Sequence, residues 1–347
     1  MSTVDVVIPC YNYAHYLHAC VHSVLSQSGV DVRALVIDDA SSDNTAQVGY
    51  ELAASDSRVT FCRHKVNKGH IATYNEGVID WSTAQYTVLL SADDLLVPGS
   101  LSRAIRIMDT DENIGMVYGR PIYFEKETEI PRITARERAY TRWSGAEWLE
   151  GRCRGGHNVI SSPEVVVRGT VQRAVGGYRP ELPHTGDLEM WLRIAAVSDI
   201  AYVRGVPQAY YRVHSASMLR TKYRRSIVDL QQRKAAFDTF FQHHHNVVAG
   251  AYRLHDLANR ALARQALWEV CRAYDRNQVK EAGADELVRF AMTTYPAATS
   301  LSEYAALRRR RRLGPIVCNR TQVFAAPALV RRIRRWLGWE RWKRQGI

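Results

Sequence analysis

The chain has 347 residues, enough for about two domains, and its 46% apolar and 24% charged content is that of a globular protein, not a disordered one. Its formal net charge is +12, but residues 301–347 hold 13 Lys/Arg against 2 Asp/Glu, so the tail carries +11 and the remaining 300 residues only +1. A near-neutral body offers no extended phosphate-tracking face, which weighs against a nucleic-acid-binding protein. No apolar run reaches the roughly 20 residues of a membrane-spanning helix, and six scattered cysteines with no C-x-x-C pair argue against a thiolate zinc site or a disulfide scaffold.

The first 120 residues alternate between two periodicities. Val4–Pro9 reads as a strand, and Ala14–Ser28 as a helix with Leu17, Val21, Val24 and Leu25 on one face. Val32–Ile37 is a second strand, Thr45–Ala54 a second helix, Val59–Arg63 a third strand and His70–Trp81 a third helix. Tyr86–Leu90 is a fourth strand, and a fourth helix runs from near Pro98 to about Asp109. This order predicts an α/β fold with a mostly parallel sheet and helices on both faces. Residues 120–185 are less regular, with short strands expected at Ile122–Phe124 and Val165–Val167, and Leu188–Val197 reads as a helix. From Ser226 to Phe290 the pattern is helical throughout. The expected organisation is a catalytic region over 1–215, a helical region over 216–300 and a basic tail over 301–347.

In open parallel sheets, ligands bind beyond the carboxyl ends of the strands. Two acidic pairs fall there: Asp38-Asp39 after strand two and Asp93-Asp94 after strand four, with Pro9-Cys10-Tyr11-Asn12 closing strand one. Four carboxylates on one edge repel unless a cation or hydrogen-bond donors join them, and a divalent metal with a phosphate is the simplest joint ligand. Neither G-x-G-x-x-G after strand one nor G-x-x-x-x-G-K-[ST] occurs, which disfavours a dinucleotide-binding dehydrogenase and a P-loop NTPase. A nucleotidyltransferase on a related sheet remains the rival enzyme class, and a nucleic-acid-binding protein acting through its basic tail is a weaker one.

The run VVIPCYNYAHYLHACVHSVLSQSGVDVRALVIDDASSDNT, with NKGHIATYNEGV (67–78), LLSADDLLVPGSL (89–101) and GGYRPELPHTGDLEMWLRIA (176–195), resembles family 2 glycosyltransferases over roughly residues 4–215. The resemblance implies a GT-A fold and inverting transfer of a sugar from a nucleotide-sugar donor. It implies that Pro9, Tyr11 and Asp39, with Asp38 and Lys68, lie where the donor nucleoside and its phosphates are held. Asp93 occupies the last position of the family's D-x-D motif, so Asp93, with Asp94, would hold Mg²⁺ or Mn²⁺ on the donor diphosphate. Asp187, in Thr185-Gly186-Asp187-Leu188-Glu189, matches the catalytic base that takes the acceptor hydroxyl proton.

This chain departs from the family where Ser91 replaces the first D-x-D carboxylate and where Gly186 stands in place of a Glu. The Q-x-x-R-W of processive members has no counterpart beside a membrane span; Arg332–Trp336 only partly matches it, so single-sugar transfer is expected. Glu189 reads as an exposed helix carboxylate. His214 is a further candidate ligand, since imidazole suits Mn²⁺ better than Mg²⁺. Lys68 and Arg212 would neutralise phosphate or lie solvated, and His157-Asn158 is a candidate acceptor loop. His243–His245 reads as helix surface because adjacent helical residues diverge by about 100°.

Arg308–Arg312 reads as a solvated run ending a helix before Gly314-Pro315. From Pro327 to Gly338 a helix is expected with Leu329, Val330, Ile333, Trp336 and Leu337 on one face and Arg331, Arg334 and Arg335 opposite, followed by Trp339 and Trp342. That pattern suits an interfacial helix on an anionic membrane, or a docked helix. The N-terminus lacks a basic and apolar leader, so a cytoplasmic protein, peripheral at the inner face of the membrane, is expected. The expected partners are a nucleotide-sugar donor, a glycan or lipid-linked acceptor and an anionic membrane surface through residues 327–347. No nucleic acid is expected, and a homodimer is compatible with the sequence.

Overall fold

The structure, a computed structural model, describes residues 1–131, 133, 137–214 and 226–347. They fall into two compact units: residues 1–148, 159–215 and 343–346 form the first, and 149–158, 216–342 and 347 the second. The boundary expected at 215/216 lies outside the described residues.

The first unit is built on an eight-stranded sheet. Strands β1 (Thr3–Cys10), β2 (Asp31–Asp38), β3 (Val59–Arg63) and β4 (Tyr86–Leu89) alternate with helices α1 (Ala14–Leu25), α2 (Thr45–Ser55) and α3 (His70–Asn75). Val4, Val6 and Ile8 of β1 are fully buried, as are Ala34, Val36 and Ile37 of β2. Helices on both faces explain these near-continuous apolar runs. After α3 the chain widens into a π-turn over Glu76–Trp81, where one helix to Trp81 was expected. Gly77 in that turn lies so close to β1 that a Cβ would stand 2.1 Å from Val7 Cγ1.

Helix α4 (Ser100–Thr110) and strands β5 (Leu95–Leu96), β6 (Ile114–Tyr118), β7 (Pro121–Phe124), β8 (Ala139–Trp143), β9 (Val166–Arg168), β10 (Asp199–Arg204) and β11 (Ala209–Arg212) complete the strand set. Helices α5 (Gly145–Gly155), α6 (Gly169–Val175) and α7 (Gly186–Val197) lie between them in the chain. The large sheet runs β3-β2-β1-β4-β9-β6-β10-β8, and a small one runs β5-β11-β7. β3-β2-β1-β4 are parallel, β9 is antiparallel to β4 and β6, and β8 to β10. The chain moves outward from β1 to β3 and then returns to the far side of β1 as β4, so the β1/β4 crevice is a topological switch point. The small sheet joins β5, just after Asp93-Asp94, to β11, just before His214.

The second unit contains helices α8 (Ser226–His244), α9 (Ala251–Asp275), α10 (Ala284–Thr294), α11 (Ser302–Leu313), α12 (Pro315–Thr321) and most of α13 (Ala325–Gln345). Leu254, Ala258, Leu262, Ala266 and Val270 make a buried stripe along α9. Two tail expectations are corrected. Arg310 is not solvated: it is 1% exposed, forms a two-pronged ion pair with Asp275 (2.8 and 2.9 Å), and its guanidinium stacks 3.8 Å from the Phe324 ring centroid. Gly338 does not end the last helix, which runs unbroken to Gln345; an interior glycine costs only about 1 kcal/mol, and Pro327 sits in the first turn, where no N–H is needed. Among the described residues no helix is long and apolar enough to cross a membrane.

Candidate active site

Two loops meet beyond β1 and β2. Asn12, in the left-handed region (φ 59°), donates its backbone N–H to Ser41 Oγ (2.9 Å) and accepts from the Ser42 N–H (2.8 Å). Pro9 is half-buried at the end of β1, and Tyr11 is half exposed. Asp38 is fully buried; its Oδ1 accepts from the Ser41 amide (2.8 Å) and its Oδ2 stands 3.2 Å from Arg63 Nε, so this carboxylate shapes the turn. Asp39 is 4% exposed and held on three sides. Its Oδ1 accepts from the Lys68 amide (2.7 Å) and meets His64 Nδ1 (2.8 Å), and its Oδ2 accepts from the Gly69 amide (2.9 Å). Gly69 has φ 84°, the left-handed backbone that turns its N–H onto Asp39. Burial alone would raise the Asp39 pKa, but the His64 contact and the two amides outweigh it and hold the carboxyl below its usual range. A carboxylate has about four acceptor positions, so one on Oδ2 is left over. Lys68 itself is exposed, with Nζ 2.8 Å from Glu76 Oε2.

Beyond β4, Ser91 and Asp94 close a tight turn through the Asp94 N–H to Ser91 O bond (3.0 Å). The turn splits the second acidic pair. Asp94 is 2% exposed and accepts from the Arg212 backbone N–H (2.8 Å); burial and then the Asp93 charge push its carboxyl well up. Asp93 faces outward, with Oδ2 2.9 Å from His214 Nε2, and both side chains are about one-seventh exposed. The Tyr13 hydroxyl is 3.4 Å from the same nitrogen. Arg212, expected at phosphate or in solvent, is 3% exposed. It lies between the Tyr16 and Phe124 rings and donates to Asp93 O (2.8 Å) and Glu127 Oε1 (2.8 Å), so it braces the turn. The outward oxygen of Asp93 and the His214 nitrogen converge as two ligands of one ion would, and an O/N set of this kind fits a divalent first-row cation.

Asp187 stands in the first turn of α7, where the helix N-terminus favours negative charge. Its Oδ1 accepts from the Leu188 amide (2.7 Å). Asn75 holds the segment leading to α7, donating to Tyr178 O (2.8 Å) and accepting from its N–H (2.6 Å). His70 Nε2 adds a contact to Pro183 O (2.8 Å). Glu189 is not an exposed helix carboxylate. It is fully buried, with Arg193 Nε 2.9 Å from both its oxygens and Arg179 Nε 2.9 Å from Oε1. Arg193 then reaches Gly177 O (2.7 Å), tying α7 to the loop before it.

The charges of Asp93, Asp94 and Asp187 act on the same two phenols. Burial pushes the Tyr74 hydroxyl well up, and the charges of Asp93, Asp187 and Asp94 add to it. Tyr211 feels burial first, then Asp94 and Asp93, with Asp187 also acting on it. Tyr13, Tyr74, Tyr211 and His64 lie against these groups and were missed by sequence reasoning, because an aromatic or a lone His in an amphipathic stretch reads as core; Glu76, paired with His64, carried no local signal. His157 is exposed in the second unit, with Nδ1 2.8 Å from Gly155 O. His243 and His244 turn back onto carbonyls of their own helix, as helix-surface residues do. A cavity of about 590 Å³ lies wholly within the second unit, lined by Ser226, Glu269, Arg272 and Arg276 among others, and none of the candidate site residues line it. All six cysteines are free thiols.

The model of the family described as Glycosyl transferase family 2 matches residues 5–163. The chain is 25% identical over 252 residues to the UDP-Glc:alpha-D-GlcNAc-diphosphoundecaprenol beta-1,3-glucosyltransferase WfaP of Escherichia coli, covering 73% of this chain and 92% of WfaP. It is 32% identical over 115 residues to the chondroitin synthase of Pasteurella multocida, covering 33% of this chain and 12% of the synthase. An uncharacterized glycosyltransferase of Nostoc is 30% identical over 115 residues, and the match spans only about a third of its length (35%). In fold, the chain is similar to S. aureus TarS 1-349 in complex with UDP-GlcNAc, with a TM-score of 0.60 at 13% identity over 90% of this chain and 91% of that one. The mannosyltransferase PcManGT of Pyrobaculum calidifontis, in complex with GDP-Man and Mn²⁺, gives 0.51 at 16% identity, over 89% and 86%.

Proposed function

Residues 5–163 form a family 2 glycosyl transferase domain, and on that premise we propose that the protein moves one sugar from a nucleotide-sugar donor to a hydroxyl acceptor, with inversion and without processivity. The observation that supports this reading is that the charges of Asp93 and Asp187 both act on the Tyr74 hydroxyl, so a carboxylate suited to a metal and one suited to a base lie near one phenol. Pro9, Tyr11 and Asp39 would take the nucleoside, with the remaining acceptor position of Asp39 Oδ2 suited to a base N–H. Asp38 fixes the turn beneath it, and Lys68 closes the rim. Asp93 and His214 would hold the divalent cation, with Asp94 and Arg212 bracing them. Such a cation supplies Lewis-acid stabilisation of the departing diphosphate. Asp187 would accept the proton of the attacking hydroxyl; the neighbouring Tyr74 and Tyr178 hydroxyls, both pushed well up by burial, stay protonated and do not compete for it.

The acceptor class is supported by WfaP, whose name specifies a diphosphoundecaprenol-linked sugar. A lipid-linked acceptor places the reaction at a membrane surface, and α13 is suited to reach one. At about 100° per residue, Leu329, Val330, Ile333, Trp336 and Leu337 fill roughly one third of its circumference. All five are 48–59% exposed. Roughly opposite are Arg331, which lies 3.9 Å from the Trp268 ring centroid, and Trp342, which is 7% exposed. The apolar stripe thus faces away from the side by which the helix is held, flanked by arginines that complement anionic lipid. Trp342 itself, expected at the interface, belongs to the held side.

A thermal-shift series with UDP and GDP, with and without Mn²⁺, tests the donor site. One nucleoside diphosphate should raise the melting temperature, and Mn²⁺ should enlarge the rise. No shift with either would refute the reading.

A further inference from the structure

His64 closes β3 at 7% exposure, and its two ring nitrogens meet two different carboxylates: Nδ1 stands 2.8 Å from Asp39 Oδ1 and Nε2 3.0 Å from Glu76 Oε2. Burial would raise the Glu76 pKa, but hydrogen bonds from Lys68 and His64 outweigh it, and the carboxyl lies below its usual range, as that of Asp39 does. An ionised carboxylate only accepts hydrogen bonds, so the donor in this arrangement is the ring. Lys68 Nζ donates to Glu76 Oε2 from the solvent side (2.8 Å). Arg63, next on β3, turns to Asp38 Oδ2 and to Ser41 O. The Cys62 thiol, 3.8 Å from Glu76 Oε1, is pushed up to about 11 by burial and then by the Glu76 charge, so it stays neutral.

Cys62, His64 and Glu76 bring three ligand-type atoms within 4.8 Å of one another. With Asp39 on one side of the imidazole and the Lys68 ammonium on Glu76, these groups are engaged in a chain of hydrogen bonds rather than open as a metal cage.

We infer that His64 is a positioning residue for the donor site: its ring bridges Asp39 to Glu76 and holds the Asp39 carboxylate with its last acceptor position toward the nucleoside. This rests on the proposed role of Asp39 in holding the donor. Without the ring, Asp39 keeps only the Lys68 and Gly69 amides and loses the partner that fixes its outer side, and donor affinity falls.

The test is calorimetric titration of the full chain with UDP and with GDP, for the wild type, His64→Asn and His64→Gln. An asparagine amide takes the place of Nδ1 and can keep the bond to Asp39, whereas a glutamine amide takes the place of Nε2 and keeps only the contact to Glu76. His64→Gln should bind about tenfold or more weakly, the size a charge-assisted hydrogen bond supports, and His64→Asn should recover most of the wild-type affinity. Wild-type affinity in His64→Gln overturns the inference. Equal loss in both variants overturns it too, since a merely structural role would not tell the two amides apart. If the wild type binds neither nucleotide, the donor-site reading itself falls and takes this one with it.

Discussion

Asp187→Asn separates chemistry from architecture. The Leu188 amide on Oδ1 at 2.7 Å is a contact that an asparagine carbonyl oxygen can keep. The favourable charge in the first turn of α7 that the substitution removes is worth about 0.3–1 kcal/mol to stability. What it removes from catalysis is the only ionised oxygen pair proposed to take the acceptor proton, and loss of a general base lowers turnover by roughly 10²- to 10⁴-fold. That is about 3–5 kcal/mol of barrier, several times the stability change. The assay is transfer of labelled sugar from the donor whose nucleotide gives the thermal shift, read beside nucleotide affinity and the urea midpoint of the same preparations. The expected result is a collapse of kcat with nucleotide affinity within about twofold of wild type, because uniform donor binding is untouched. A kcat within about tenfold of wild type would refute the assignment of Asp187.

Three further outcomes follow from particular contacts. Glu189→Gln leaves the buried Arg193 without its anion and should cost about 3–5 kcal/mol in urea unfolding, whereas an exposed carboxylate would cost almost nothing. Glu164 is 2% exposed with Oε2 unbonded among the described residues, and burial pushes its carboxyl well up. The sign is that of a raised acid: its stabilising contribution is full below the unfolded value of about 4.3 and is lost as pH rises through the folded value. Glu164→Gln should therefore be more stable than wild type at neutral pH with a flatter profile, and an unchanged pH dependence of the urea midpoint would count against it. The combined change Leu329→Ser, Ile333→Ser and Trp336→Ser should abolish co-sedimentation with phosphatidylglycerol vesicles. Raising the salt should weaken wild-type binding, and equal sedimentation of both proteins would dismiss the lipid surface.

The alternating half of the fold was legible because each signal there is local. β1 to β4 are short apolar runs buried on both faces, ending where acidic or turn residues begin, and the predicted ranges agree within two residues, Val59–Arg63 without any difference. β6, β8, β10 and β11 were not legible as strands, although β8 and β11 have partners far along the chain that complete the sheet edge at β10 and the small sheet at β5. Nothing local in Tyr210-Tyr211-Arg212 says that Arg212 will be buried between two rings. The acidic pairs were legible as pairs, but their division of labour was not. Asp38 and Asp94 turn inward onto one backbone amide each, Asp39 is held by two amides and His64, and Asp93 meets His214. Only the three-dimensional turn decides which member of each pair points where, since neighbouring residues past a strand end have no fixed period.

The same distinction bears on charge. An arginine count treats Arg308–Arg312 and Arg331–Arg335 alike, but Arg310 is spent on Asp275 and Phe324 and Arg331 on Trp268. What remains outward on α13 is a set of cations bordering exposed Leu, Ile and Trp side chains, and a helix holding both can gain from anionic headgroups and acyl chains at once. A lipid-linked acceptor is confined to that same surface, so adsorption through α13 would replace a search through solution by one in a plane. On the proposed reading the excess charge would act on encounter with acceptor, and donor recognition would fall to Asp39, Asp93 and their immediate partners. On this argument, transfer to a lipid-linked acceptor in vesicles should depend steeply on α13, and transfer to a detergent-dispersed acceptor should not.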